Sequence, residues 1–247
     1  MSTGLLKSNL KELKLPVMAC VYKKEALEAQ TVLAGYEEYL LRLTELEITQ
    51  KRQIKTDRLL RQSKLPLEKS MKSFDAKRLP IKVKAVLKEL VEGGFVRRKE
   101  NVLVFGNPGS GKTHLLCGIG QELVYKGFKV LFRSCSLLVQ DLLKAKKELM
   151  LVKYLKTLSS IDVLIIDDIG YVQQSREEME VLFMLLAERY ERGSVMITSN
   201  LIFSEWEKIF KDPMTTAAAI DRLVHHSIIL ELNLTSYRLE SSKKNKK

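Results

Sequence analysis

The chain has 247 residues, 45% of them apolar, enough to bury one full α/β core with material left for a smaller appendage. Its formal charge of +12 is unevenly spread: residues 51–99 carry 16 basic and 5 acidic side chains, whereas residues 1–50 carry 6 and 7. No apolar run is long enough to cross a bilayer and the first residues lack the pattern of a signal peptide, so a membrane-spanning protein is excluded and the cytoplasm is the expected compartment.

Residues 5–64 contain one proline, one glycine and leucines at helical spacing: Leu6, Leu10 and Leu13, then Leu27, then Leu40, Leu43 and Leu46. Two or three helices are predicted, with Pro16 ending the first and Gly35 separating the second from a longer third that begins near Tyr36. On that third helix Lys51, Lys55 and Arg58 recur at i, i+4 and i+7 and project from one face, with Arg52 and Arg61 beside them. A basic face suits a polyanion, nucleic acid above all, because each neutralised phosphate releases condensed counterions. The plainer alternative is a solvated charged face. Residues 1–65 are read as a small all-helical N-terminal domain, with this face as the candidate contact to duplex phosphates.

Residues 66–80, from Pro66 to Pro80, read as an extended basic linker draped over the domain that follows. Residues 81–240 then form an α/β domain. An amphipathic helix is predicted from Ile81 to Val91, and Gly93 and Gly94 release the chain toward the first strand. Strands are predicted at 102–105, 129–132, 163–167, 195–199 and 228–232, and their alternation with helices is the pattern of a parallel five-stranded sheet covered on both faces. The thirty residues from Arg133 to Asp162 are too many for one crossover helix, so two are predicted. The first ends in Lys144, Lys146 and Lys147, further candidates for DNA contact, although lysines at a helix C-terminus also stabilise its dipole. Residues 241–247, SSKKNKK, contain no apolar side chain and are expected to be a disordered basic tail. Cys20, Cys117 and Cys135 are far apart and flanked by apolar residues, which predicts reduced, buried thiols.

The most informative stretch is the end of the first strand. Gly106, Gly111, Lys112 and Thr113 fit G-x-x-x-x-G-K-[ST], in which successive backbone N–H groups turn inward around a phosphate chain and the following helix aims its positive end at it. Gly106, Asn107, Pro108, Gly109, Ser110, Gly111, Lys112, Thr113 and His114 are therefore the candidate ATP-binding loop, with Lys112 reaching the β- and γ-phosphates and the Thr113 hydroxyl ligating Mg²⁺. The apolar strand 163–166 runs into Asp167 and Asp168 beside this loop. Asp167 is expected to hold Mg²⁺, and Asp168 to orient or deprotonate an attacking water. Asn200, after the fourth strand, could bond the γ-phosphate and that water, or form an Asx turn. Arg222 is a candidate arginine finger for a neighbouring subunit, with a local salt bridge as the alternative, and Arg238 is a weaker candidate. His225 and His226, adjacent on a predicted helix, would point about 100° apart and share no metal. Trp206 and Phe210 read as packing residues and not as a base-stacking pair.

Taken in order, GNPGSGKT, VLIIDD, ITSN, SEWEKIF, DPMTTAAAIDRLVHHS and SYRL resemble the IstB family, the AAA+ ATPase helper proteins of IS21-type insertion sequences, related to DnaC helicase loaders and DnaA initiators. LKELKLPVMA near the N-terminus and the linker SFDAKRLP extend the resemblance over nearly the whole chain. The resemblance implies a P-loop NTPase of the AAA+ (ASCE) type and an ATP- and Mg²⁺-dependent homo-oligomer with ATP sites shared between subunits. It further implies binding and remodelling of double-stranded DNA, recruitment of a cognate transposase, and the two helices within Arg133 to Asp162 lying toward the DNA. Arg222 matches the arginine-finger position of that family. Two departures stand out: Asp168 replaces the glutamate usual in AAA+ proteins, and the chain runs only a short way past the fifth strand, so no C-terminal helical lid is expected. A replicative helicase loader of the DnaC type and a small-molecule kinase remain alternatives. No acceptor pocket supports the kinase, and duplex versus single-stranded DNA separates the other two.

Overall fold

The computed structural model describes residues 2–170, 175–206, 217, 220–221, 223–234 and 236. The chain divides into two compact units, Met1–Arg58 and Leu59–Lys247, so the division falls inside a helix and the predicted linker belongs to the second unit.

The first unit holds α1 (Ser2–Glu12), α2 (Pro16–Thr31) and most of α3 (Tyr36–Ser63). Pro16 begins α2 at its first turn, where a missing N–H removes no helical hydrogen bond, and α1 has already ended at Glu12. Leu15 cannot cap α2 with its side chain, and a residue far along the chain does so instead. Glu47, buried on α3, accepts hydrogen bonds through Oε2 from the backbone N–H groups of Val17 (2.9 Å) and Met18 (3.0 Å). The Tyr39 hydroxyl makes a second tie, donating to the Tyr22 carbonyl at 2.9 Å. Cys20 is exposed on α2, contrary to the expectation of a buried thiol, because the apolar residues flanking it in sequence point to other sides of the helix.

In the second unit β1 (Asn101–Gly106), β2 (Val130–Ser134), β3 (Val163–Asp167), β4 (Ser194–Ser199) and β5 (Ser227–Leu232) form one parallel sheet in the order β2-β3-β4-β1-β5. The covering helices are α4 (Ile81–Glu92), α5 (Gly94–Arg97), α6 (Lys112–Tyr125), α7 (Cys135–Lys147), α8 (Leu151–Ser159) and α9 (Arg176–Arg189). Burial on both faces explains why the strands read as continuous apolar runs: Leu103, Phe105, Leu164 and Ile166 face α7, α8 and α9, while Val102, Val104, Val163 and Ile165 face α6. The fully buried Trp206 belongs to the first of these layers, its indole N–H donating to the Leu201 carbonyl at 3.1 Å. Phe210 lies outside the described residues, as does the tail 241–247.

Arg189, at the end of α9, is 1% exposed and carries its charge into the floor of the sheet. Its guanidinium donates to the carbonyls of Leu158 (2.8 Å), Ile161 (3.1 Å), Asp162 (3.3 Å) and Ser194 (2.9 Å), stitching the entry of β3 to that of β4. Burial pushes its pKa down to about 10, still well above neutral, so the group remains a cation.

Residues 66–80 are not extended. They form turns and a 3₁₀ turn, Ala76–Arg78, capped by the Asp75 carboxylate, which accepts from the Lys77 N–H. The stretch is fastened to α6: the buried Gln121 amide donates to the carbonyls of Pro66 (3.1 Å) and Lys69 (3.2 Å), and Met71 packs so closely on Gly118 that a Cβ there would collide with it. His225 and His226 also depart from expectation. They lie in a turn before β5, and their rings meet edge-on with centroids 4.3 Å apart, since a turn does not impose the 100° step of a helix.

Candidate nucleotide site

The site gathers at the C-terminal ends of β1, β3 and β4, where the strand order carries the chain from one side of β1 to the other. β1 ends at Gly106, and the loop 107–111 turns directly into α6 at Lys112. Gly111 has φ +96°, a conformation that a side chain would strain, and it is the residue that lets the loop enter the helix without a break.

Lys112 is buried, 6% exposed, and its ammonium is held by the loop itself: Nζ donates to the carbonyls of Gly106 (2.8 Å) and Asn107 (3.0 Å) and to Asn200 Oδ1 (2.5 Å). Burial lowers its pKa, and the carboxylates of Asp168 and Asp167 oppose that shift. Asn200 in turn donates through Nδ2 to Asp168 Oδ1 at 3.1 Å, so one amide links the loop lysine to the second acid. Asp167 Oδ1 accepts from the hydroxyls of Thr113 (2.8 Å) and Thr198 (2.6 Å). Asp168 sits at φ +66°, outside the strand, and its N–H donates to Thr198 Oγ1 at 2.8 Å. A hydroxyl and a carboxylate at hydrogen-bond distance form the all-oxygen donor set that Mg²⁺ prefers, so Thr113 and Asp167 fit such an ion.

Beside the loop lies a cavity of about 220 Å³ bounded by Gly109, Ser110, Gly111 and Lys112 on one side and by Lys69, Phe74 and Arg78 on the other. The residues from the 66–80 stretch were not singled out in the sequence, because nothing local marks a turn that folds back onto a distant loop. His114 lines this cavity too, but its ring is turned to that stretch: Nε2 lies 3.0 Å from the Ser70 carbonyl and 3.2 Å from Ser73 Oγ, and Phe74 meets the ring edge-on at 5.2 Å. Asn107 and Pro108 are exposed at the loop tip, and Ser110 is buried.

Thus Lys112, Thr113, Asp167, Asp168 and Asn200 come together as one hydrogen-bonded group. Arg222 and Arg238 lie outside the described residues. Among the DNA candidates, those on α7 do not join this group. Lys51, Arg52, Lys55, Arg58 and Arg61 are exposed on α3, with Lys51 3.6 Å from the Glu47 carboxylate. On α7, Lys144 approaches Glu148 (4.0 Å), Lys146 approaches Glu180 (3.0 Å) and Lys147 is exposed. Solvent-exposed pairs of this kind contribute about 0–1 kcal/mol, weak enough for a phosphate to replace the carboxylate. Among the described residues no helix is long and apolar enough to cross a membrane.

The fold has counterparts among solved structures. The DnaC helicase loader superposes with a TM-score of 0.53 at 19% identity, over 61% of this chain and 88% of that one. AMPPCP-bound DnaA from Aquifex aeolicus gives 0.58 at 19%, over 73% of this chain and 56% of that one. These likenesses show a P-loop AAA+ fold. Sequence relatives are much nearer. The ATP-binding protein of insertion sequence IS5376 from Geobacillus stearothermophilus is 40% identical over 231 residues, 94% of this chain and 92% of that one. An insertion sequence ATP-binding protein of Sinorhizobium fredii (strain NBRC 101917 / NGR234) is 38% identical over 234 residues, 94% and 78%. The family described as IstB-like ATP binding protein matches residues 8–245. The chain belongs to the IstB-like ATP-binding proteins of insertion sequences.

Proposed function

We propose that the chain is an ATP-hydrolysing helper of transposition that binds and remodels duplex DNA, assembles there as a homo-oligomer with ATP sites shared between subunits, and recruits or stimulates its transposase. The observation that carries this reading is the bonded chain Lys112–Asn200–Asp168 next to Asp167 and Thr113, in a protein whose relatives are insertion-sequence ATP-binding proteins. The loop amides and the start of α6 cradle the phosphates, and the 220 Å³ cavity takes the nucleoside. Lys112, desolvated and held by carbonyls, gains a stronger partner when it turns to the β- and γ-phosphates. That turn frees Asn200 Oδ1 to accept from the attacking water, while Asp168 holds the same water for in-line attack. Thr113 and Asp167 would hold Mg²⁺, which when bound would neutralise charge on the phosphate oxygens. Arg222 of a neighbouring subunit is the proposed source of the remaining positive charge.

Assembly on duplex DNA, followed by sedimentation with and without ATP, tests the reading. The parent is expected to assemble on duplex DNA only with ATP, and Lys112→Ala to lose about 100-fold in nucleotide affinity, the equivalent of about 3 kcal/mol for a charge-assisted contact. Assembly of Lys112→Ala equal to the parent's would end the reading in which ATP governs assembly on DNA. Preference for single strands of matched length would favour a helicase loader instead.

A further inference from the structure

Thr198 stands in the middle of the sheet, one position inside the end of β4, and is 1% exposed. A threonine hydroxyl has one hydrogen to donate and can accept from others. Here the hydrogen goes to Asp167 Oδ1 at 2.6 Å, and the oxygen accepts the N–H of Asp168 at 2.8 Å. The Thr198 carbonyl accepts the next N–H, that of Ile169, at 3.1 Å. One residue of β4 thus grips three consecutive residues of the neighbouring strand as that strand ends. The grip coincides with the change of backbone conformation at Asp168, whose φ of +66° turns its carboxylate toward the Asn200 amide. That conformation is uncommon for residues other than glycine, and at Asp168 the N–H and the carboxylate are both hydrogen-bonded at the turn.

We infer that Thr198 is a positioning residue for both acids: its hydroxyl fixes the Asp167 carboxylate against Thr113 and, through the Asp168 N–H, sets the turn that aims the Asp168 carboxylate. A hydroxyl is required for this and not merely tolerated. The β-branched shape of threonine fills the same buried space as valine, so packing alone would be met by Val, whereas only a hydroxyl can hold an anionic acceptor and a backbone donor at once. The inference rests on the proposed roles of Asp167 and Asp168. It goes beyond them by making a residue outside both acidic and phosphate-loop motifs responsible for their alignment.

The test compares Thr198→Val with Thr198→Ser in the full chain. Affinity for a fluorescent ATP analogue is measured in Mg²⁺ and in EDTA, together with steady-state hydrolysis and melting temperature. Groups that orient a metal-holding side chain cost about 10–100-fold in metal affinity or activity when removed. Val is therefore expected to lose about tenfold of the Mg²⁺-dependent gain in nucleotide affinity, to leave binding in EDTA unchanged, and to lower kcat more than it raises KM. Ser is expected to restore most of both. A purely structural residue would give the opposite ranking, because Ser lacks the buried methyl and suits a strand less well than Val. Equal Mg²⁺-dependent gain in Val and the parent, or Ser performing no better than Val, overturns the inference while leaving the nucleotide site standing. A parent whose nucleotide affinity is the same in Mg²⁺ and EDTA overturns the roles of Thr113 and Asp167 themselves, and the inference with them. Should Thr198→Val prove insoluble, Thr198→Cys, close in size and a much weaker hydrogen-bonding group, is measured against the same criteria.

Discussion

At the scale of single residues, environment decides what a given side chain can do. Lys112, Asp168 and Asn200 would be ordinary surface groups elsewhere, yet here each is committed to the next, and the lysine is desolvated enough to lower its pKa. The cysteines make the same point in a form that can be measured directly. Burial pushes the Cys117 thiol up to about 12, so it stays neutral near pH 8, and only a thiolate reacts. Cys135 is also buried, while Cys20 is exposed. One thiol per chain is expected to react with Ellman's reagent at pH 8 in the folded protein, and three after denaturation. Mass spectrometry that found label on Cys117 or Cys135 of the folded protein would contradict their burial.

Elements are joined by a few polar side chains that act at long range in sequence. Glu47 replaces the missing side-chain cap of α2 from a position on α3, and Arg189 gathers four carbonyls around the entries of β3 and β4. Asn101 does similar work at the start of β1: its amide accepts from the Val195 N–H at 2.9 Å and donates to the Leu223 carbonyl at 3.3 Å, tying the chain next to Arg222 to the sheet. Removing the Glu47 carboxylate leaves two N-terminal N–H groups of α2 without their acceptor. Glu47→Ala is therefore expected to destabilise the helical unit by about 1–3 kcal/mol, seen as an earlier urea transition by circular dichroism. Glu47→Gln, which keeps an acceptor oxygen, is expected to lose less. Equal midpoints for the parent and Glu47→Ala would mean that α2 is held by its apolar face alone.

For the molecule as a whole, the charge excess bears on the proposed DNA partner. The net charge of +12 is concentrated in residues 51–99, beginning on α3, where Lys51, Lys55 and Arg58 are exposed and share a face. Exposed cations bind phosphate mainly through counterion release, so their number is readable from salt dependence. Replacing all three by Ala is expected to weaken duplex binding and to flatten the log–log slope against salt by about 0.9 for each lost phosphate contact. Fluorescence anisotropy over a range of potassium chloride would measure it, and an unchanged slope would remove this face from the DNA interface. Of the three, Lys51 is expected to contribute least, since binding phosphate would require it to leave the Glu47 carboxylate.

The sequence by itself determined the parallel sheet and its phosphate loop, because both are written in local pattern. Apolar runs of strand length alternate with amphipathic helices, and Gly111-Lys112-Thr113 and Asp167-Asp168 fall at strand ends, where only a few residues set the geometry. Even the two helices between β2 and β3 follow from chain length. Tertiary structure alone decided the contacts between residues far apart in sequence. The predicted linker folds onto α6 because Gln121, His114 and Gly118, between 41 and 55 positions away from their hydrogen-bonding partners or in direct contact with Met71, offer donors and space that no local window contains. Thr198 looked like one more strand former, since a single hydroxyl in an apolar strand carries no pattern. Its two partners, Asp167 and Asp168, lie 31 and 30 positions earlier and meet it only when β3 and β4 pair. Local propensity and periodicity thus name the strands and the loop, while the alignment of the acids depends on which strand lies next to which.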